Sequence, residues 1–172
     1  TNVDLMNGCH VENDVFGGGN EGDVNGPIGT YVVLQEDGQV DGTIYGGCYR
    51  ADVADDTEVV IYGKVGKDDA DYYGGVQSPI SSARKGNVYG GGKEGNVNGP
   101  NGTVMLVHGP KALVQNNVYG GGWADTLQAE VTADTSILIE AGSNVKYSVF
   151  GGGHQTSDTA ASAHVHGTTN VV

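Results

Sequence analysis

The chain is short of the residues that usually staple or interrupt a fold. Its 172 residues include two cysteines, four prolines, two methionines, two phenylalanines and one tryptophan. Cys9 and Cys48 do not read as a disulfide framework. Cys48 takes the third place of a glycine triplet while Cys9 follows Gly8, and a bridge would need Cα atoms within about 7 Å. Positive charge is also scarce. Eight Lys and Arg stand against 21 Asp and Glu, a net charge of −13. That sign argues against nucleic acid and anionic membrane surfaces as partners, and leaves a cation, a neutral glycan or a basic protein patch. No apolar run approaches the ~18 residues of a membrane helix, so no membrane insertion is expected. No stretch holds apolar residues at helical spacing for long enough to form a helix. No signal-peptide pattern is present and the first residue is Thr1, which reads as a processed form or a piece of something longer.

Glycine is abundant, with 31 residues and no strict three-residue period, which excludes collagen. Six glycine clusters follow an aromatic residue: Val15-Phe16-Gly17-Gly18-Gly19, Ile44-Tyr45-Gly46-Gly47-Cys48, Tyr72-Tyr73-Gly74-Gly75, Val88-Tyr89-Gly90-Gly91-Gly92, Val118-Tyr119-Gly120-Gly121-Gly122 and Val149-Phe150-Gly151-Gly152-Gly153. Their first glycines lie 29, 28, 16, 30 and 31 residues apart. A period near 30 is the mark of a repeat architecture. Other columns keep the same time. Threonine opens an alternating strand at Thr1, Thr30, Thr57, Thr103 and Thr135, and lone apolar residues follow at Val11, Val40, Val65, Val114 and Val145. A fourth apolar position recurs after the glycines at Val24, Val53, Val97, Val131 and Val165.

Each unit thus offers three short strands and cannot bury its apolar face alone, whereas stacked units can. The pattern predicts an all-β parallel β-solenoid (β-helix) of about five coils of roughly 30 residues. A β-prism or an antiparallel β-roll with glycines at hairpin turns is the alternative. Glycine is expected where the coil turns sharply with positive φ, or where stacked backbones approach closely. One unit breaks the rhythm, with only 16 residues between Gly74 and Gly90 while the threonine strands at 57 and 103 stand 46 apart. The simplest account is one repeat domain over 1–172 with an insertion loop at 68–87, carrying the basic pair Arg84-Lys85.

Three chemistries suggest themselves. If the valines before the aromatics face inward, the aromatics face outward, and Tyr45, Tyr89 and Tyr119 with Trp123 form a platform for sugar rings, with Arg84 and Lys85 as polar partners. The plainer alternative is that the rings stack on one another and on glycine backbone, sealing a corner. Acidic turns offer oxygen ligands to calcium through Asp52, Asp55, Asp56, Asp68, Asp69 and Asp71, although neither a nonapeptide period nor a helix-loop-helix calcium loop is present. Otherwise no cofactor is implied. His164 and His166 would share a strand face near His154, without an obvious further metal ligand. Catalysis has the least support. Asp52, Asp55 and Asp56 could be drawn with Arg50 or Lys64, but the negative charge would repel polyuronates, and no Gly-His-Gly, Arg-X-Lys or nucleophile signature appears.

The Val-Tyr-Gly-Gly-Gly elements with their Thr-X-Val-X-Ile strands resemble the repeats of bacterial surface adhesin-like and autotransporter-type β-helix proteins. The resemblance covers nearly the whole chain in style and carries no catalytic residue. It implies an extracellular or cell-surface location and a structural or adhesive role, as an adhesin stalk or filament subunit. The partners expected are further copies of the chain stacked head to tail, adjacent repeats of the same chain, a glycan, or a host or cell-surface protein. A glycan-binding module and a polysaccharide-degrading β-helix enzyme are the other readings.

Overall fold

The computed structural model describes residues 1–67, 86–156 and 160–172. The protein is an all-β solenoid of about five parallel coils, and the described residues contain no helix. The threonine-led segments form the longest strands: β1 (Asn2–Leu5), β4 (Thr30–Leu34), β7 (Thr57–Ile61), β10 (Thr103–Val107), β14 (Thr135–Ile139) and β18 (Thr169–Val171). They lie side by side in that order as the first sheet. The lone apolar residues lie on the second sheet: β2 (His10–Val11), β5 (Gln39–Val40), β8 (Lys64–Val65), β11 (Leu113–Val114) and β15 (Asn144–Val145). The third sheet holds the aromatics: β3 (Val15–Phe16), β6 (Ile44–Tyr45), β9 (Val88–Tyr89), β12 (Val118–Tyr119) and β16 (Val149–Phe150). Every strand pairing described is parallel and joins one coil to the next, which excludes the β-prism and the antiparallel roll.

Register is like on like. Thr30, Thr57, Thr103 and Thr135 align, as do Val32, Val59, Met105 and Ile137, and Leu34, Ile61, Val107 and Ile139. Because side chains alternate along a strand, these columns face one side and enclose a core with Val40, Ile44, Val65, Val88, Val114 and Val118 from the other two sheets. A one-residue slip would take each column off the core face, so the alternation fixes the register.

Past the third sheet, each coil continues into a smaller lobe. Isolated bridges link Asn20, Tyr49, Lys93 and Trp123, and the last of these opens β13 (Trp123–Ala124), which pairs with β17 (His154–Gln155). The fourth apolar column follows, with Val24, Val53, Val97, Val131 and Val165 bridged in sequence.

The third coil carries the extra length. Val40 and Gly42 are two residues apart in the second coil. Their carbonyls receive the N–H groups of Gly66 and Gly86, which are twenty residues apart. Most of the segment expected as an insertion, including Arg84, Lys85, Asp68, Asp69 and Asp71, lies outside the described residues. Gly86 and Asn87 are already back in the coil.

Candidate functional site

The aromatic–glycine element forms one corner of every coil. The first glycines of the triplets, Gly17, Gly46, Gly90, Gly120 and Gly151, stack coil on coil. A Cβ on Gly46 would lie 2.1 Å from the Gly90 carbonyl oxygen, and one on Gly90 would lie 2.4 Å from that of Gly120. The second glycines are bonded in series: Gly18 N–H to Gly47, Gly47 to Gly91, Gly91 to Gly121 and Gly121 to Gly152, at 3.1–3.2 Å. None of these glycines has positive φ. The left-handed glycines are elsewhere, at strand ends such as Gly8, Gly109 and Gly142 and before the threonines at Gly29 and Gly102. Of the two reasons expected for glycine here, close approach therefore applies at the triplets and sharp turning does not.

Threonine closes the corner. The hydroxyls of Thr30, Thr57, Thr103 and Thr135 donate to the carbonyls of Gly46, Gly90, Gly120 and Gly151 at 2.5–2.6 Å, and Thr1 bonds Gly17 in the same way. Each bond ties the start of a first-sheet strand to the end of the third sheet within one coil. The threonine column is thus a latch rather than a surface ladder.

The aromatic column stands on the other face of the third sheet from the aliphatic core. Phe16, Tyr45, Tyr89, Tyr119 and Phe150 stack with centroids 4.8, 5.1, 4.7 and 4.9 Å apart and planes within 12° of parallel. Tyr45 rests directly on Tyr89, so the stack has five described members running from the first coil to the fifth, and Tyr73 lies outside the described residues. Tyr45, Tyr89 and Tyr119 are only 3–4% exposed. Their faces are taken by one another, which corrects the picture of an open platform at these three positions. Burial pushes the phenols of Tyr45 and Tyr89 well up, and the Asp14 carboxylate adds to the effect on Tyr45. Asn117 Nδ2 donates to the Tyr119 hydroxyl at 3.3 Å, and the Tyr89 hydroxyl meets His154 Nδ1 at 3.3 Å. Burial lowers the pKa of His154, whose ring stacks on Tyr119 at 5.4 Å.

Trp123 packs against this stack from the adjacent column. Lys93 Nζ lies 4.4 Å from the Trp123 ring centroid and 5.4 Å from that of Tyr49, so one cation serves two aromatic rings. The sequence places Trp123 with the tyrosines, and the structure brings them together, but as packing partners.

The acidic turns are drawn into bonds between coils. Asp23 Oδ1 accepts the N–H of Asp52, Asp52 Oδ1 that of Asn96, and Asn96 Oδ1 that of Glu130, at 2.8–3.0 Å. Asp14, Asn87 and Asn117 do the same for Thr43, Asn117 and Ser148. Asp55 accepts the N–H of Asp56, and Asp56 Oδ1 those of Asn101 and Gly102. Of the carboxylates suggested for calcium, Asp52, Asp55 and Asp56 therefore each have an oxygen committed to backbone. Among the described residues no group of three or more His, Cys, Asp or Glu is arranged to hold a metal. His166 bonds Glu130 at 3.0 Å, and the His164 and His166 rings are 6.5 Å apart. Cys9 and Cys48 are both free thiols.

An open groove of about 570 Å³ lies along the small lobe, lined by Asp23, Arg50, Asp52, Glu94, Asn96, Thr126, Leu127, Gln128 and others. Two of these residues, Arg50 and Glu94, have left-handed backbone with φ of 53° and 56°, a conformation that non-glycine residues adopt only at a cost. Glu21, aligned with them in the first coil, has φ of 59°. Glu94 is 5% exposed. It accepts Arg50 Nε at 2.7 Å, the Thr126 N–H at 2.9 Å and the Thr126 hydroxyl at 2.7 Å. Burial opposes its ionisation, but these donors outweigh it and hold the carboxyl at about 2. The Arg50 guanidinium also lies 5.2 Å from the Tyr49 ring centroid. The sequence pairs Arg50 only with Asp52, Asp55 and Asp56 and does not single out Glu94. Each of Glu21, Arg50 and Glu94 sits two residues after a third-glycine position, so aligning that offset would have exposed the column. No protein-family model, curated protein or solved structure matches the chain.

Proposed function

We propose that the protein is a non-catalytic rod segment of an extracellular or cell-surface protein, acting as an adhesin stalk or part of a filament. The observation that carries this reading is the threonine–glycine latch, repeated in every coil beside the stacked rings. Residue types that could supply chemistry are engaged in cohesion. Hydroxyls bond glycine carbonyls, Asp and Asn side chains bond the next coil, and tyrosines stack face to face. Such a body has nearest-neighbour stability and extends along one axis, as a spacer requires.

Single-molecule pulling with both ends tethered tests the reading. A spacer should give way coil by coil, in successive steps of about 30 residues of released chain. Collapse in one event at negligible force would contradict a load-bearing role. Release of reducing ends from a panel of plant and bacterial polysaccharides would replace it with the enzyme reading.

A further inference from the structure

The groove on the small lobe has features that cohesion does not account for. Its lining comes from five successive coils: Asp23 from the first, Arg50 and Asp52 from the second, Glu94 and Asn96 from the third, Thr126, Leu127 and Gln128 from the fourth, and Ala160 from the fifth. It therefore runs along the rod, over four coil steps of about 4.8 Å, or roughly 19 Å. That shape fits a linear ligand.

The exposed chemistry is mixed. Arg50 uses Nε on Glu94, and its terminal Nη groups make no hydrogen bond to a described residue. Asp23 and Asp52 each use Oδ1 on backbone, which leaves Oδ2 as a second acceptor on each groove-lining carboxylate. Asn96 uses Oδ1 and keeps Nδ2 as a donor. Leu127 adds an apolar surface, 49% exposed. Donors and acceptors thus alternate along the groove. Hydroxyl groups both donate and accept, so a polyhydroxylated chain can satisfy both kinds in sequence. A polyanion would meet the Asp23 and Asp52 carboxylates. An extended basic chain would meet Arg50 in the middle, held in place by a buried carboxylate.

The backbone supports a built site. At the same offset the fourth and fifth coils put Ala124 and Gln155 into ordinary strand β13 and β17. Only the coils that supply Glu21, Arg50 and Glu94 adopt the costly left-handed form. Strain of this kind is retained where the surroundings hold it, and the bonds from Arg50 and Thr126 to Glu94 do so here.

We infer that this groove binds a neutral linear glycan, with Arg50, Asp23, Asp52 and Asn96 contacting its hydroxyls and Leu127 packing on a ring face. The site is separate from the aromatic stack, and it does not depend on the rod reading. A glycan would lie along the coils and bridge several of them at once.

Isothermal titration of the full chain with cellotetraose, mannotetraose and maltotetraose tests the assignment. At least one should bind saturably, with a millimolar or tighter dissociation constant. Two variants locate the site: Arg50→Gly leaves buried Glu94 with only its two Thr126 donors, so its melt is checked first, and Asp23→Asn covers the case in which it does not fold. Arg50→Gly suits the left-handed backbone and removes the guanidinium, and Asp23→Asn keeps the Oδ1 acceptor for Asp52. Each should weaken binding tenfold or more, while Trp123→Phe leaves it unchanged. No saturable binding of any of the three sugars would overturn the assignment. Binding of tetralysine in their place, or a loss with Trp123→Phe but not with Arg50→Gly, would overturn it as well. The pulling experiment uses no sugar, so the two readings can fail independently.

Discussion

Val59 lies between Val32 and Met105 in the aliphatic core, and Gly90 lies between Gly46 and Gly120 at the corner. Both are links in ladders that join the same coils. The core column changes identity from Val to Val to Met to Ile, because side chains facing one another can repack. The corner column is glycine at all five levels: the atom opposite Gly17, Gly46, Gly90 and Gly120 is a backbone carbonyl oxygen that cannot move aside, and opposite Gly151, at the last level, stands the Thr169 side chain. Side-chain ladders set the hydrophobic stability of the solenoid, while the corner sets how closely coils approach. Departures from the consensus are therefore tolerated in the one and not in the other.

Gly90→Ala should have the largest effect. Its Cβ would fall 2.4 Å from the Gly120 oxygen and 2.8 Å from the Thr103 hydroxyl oxygen. A destabilisation of more than about 4 kcal/mol, seen as loss of the cooperative melt, is expected. Val59→Ala, at the same level of the rod, should cost about 2 kcal/mol and leave the melt cooperative. If the two substitutions proved equal, the contrast between corner and core would fail.

Next comes the ring stack. Tyr89→Ala removes the middle of five stacked rings and should cost about 3–5 kcal/mol in chemical denaturation. A loss below about 1 kcal/mol would mean that the stack is ornamental to stability.

Thr103→Val keeps the shape and removes the latch to Gly120, leaving a buried carbonyl without that donor. A loss of about 1–3 kcal/mol is expected by denaturant titration. No loss would show that the latch follows from the packing rather than securing it.

Glu94 sharpens the comparison in a third place, where a strained buried carboxylate replaces both ladder types. Its pKa in the folded chain is about 2, below the ordinary glutamate value. Its contribution is therefore complete above that ordinary value and is lost as pH falls through about 2. Acid titration of the wild type should show stability falling across this window, and Glu94→Gln should flatten that part of the curve. An unchanged acid limb in the variant would remove Glu94 as the source.

Much of this was legible in the sequence. The threonine, valine and aromatic–glycine columns read as strands of stacked coils because like residues recur at one spacing, and parallel register is what aligns them. Direction was less legible. Alternation placed Tyr45 and Tyr89 on the face away from Ile44 and Val88, correctly, but could not show that this face is covered by a stack and by the Trp123 column. The reason for the glycine triplets was half legible, since a turn and a close approach demand the same residue. Arg50 and Glu94 were hardest to see. Their pairing joins residues 44 apart, and left-handed backbone at Arg and Glu has no local signal.

Amide hydrogen exchange resolved at single glycines tests the central claim most directly, that the corner clamps one coil to the next. Gly47, Gly91 and Gly121 donate in series to Gly91, Gly121 and Gly152, so their N–H groups should exchange only through global opening, at the slow rate of Val59 and Val60 in the core. Exchange of these three glycines as fast as that of Gly26, in an exposed turn, with Val59 and Val60 still protected, would contradict it.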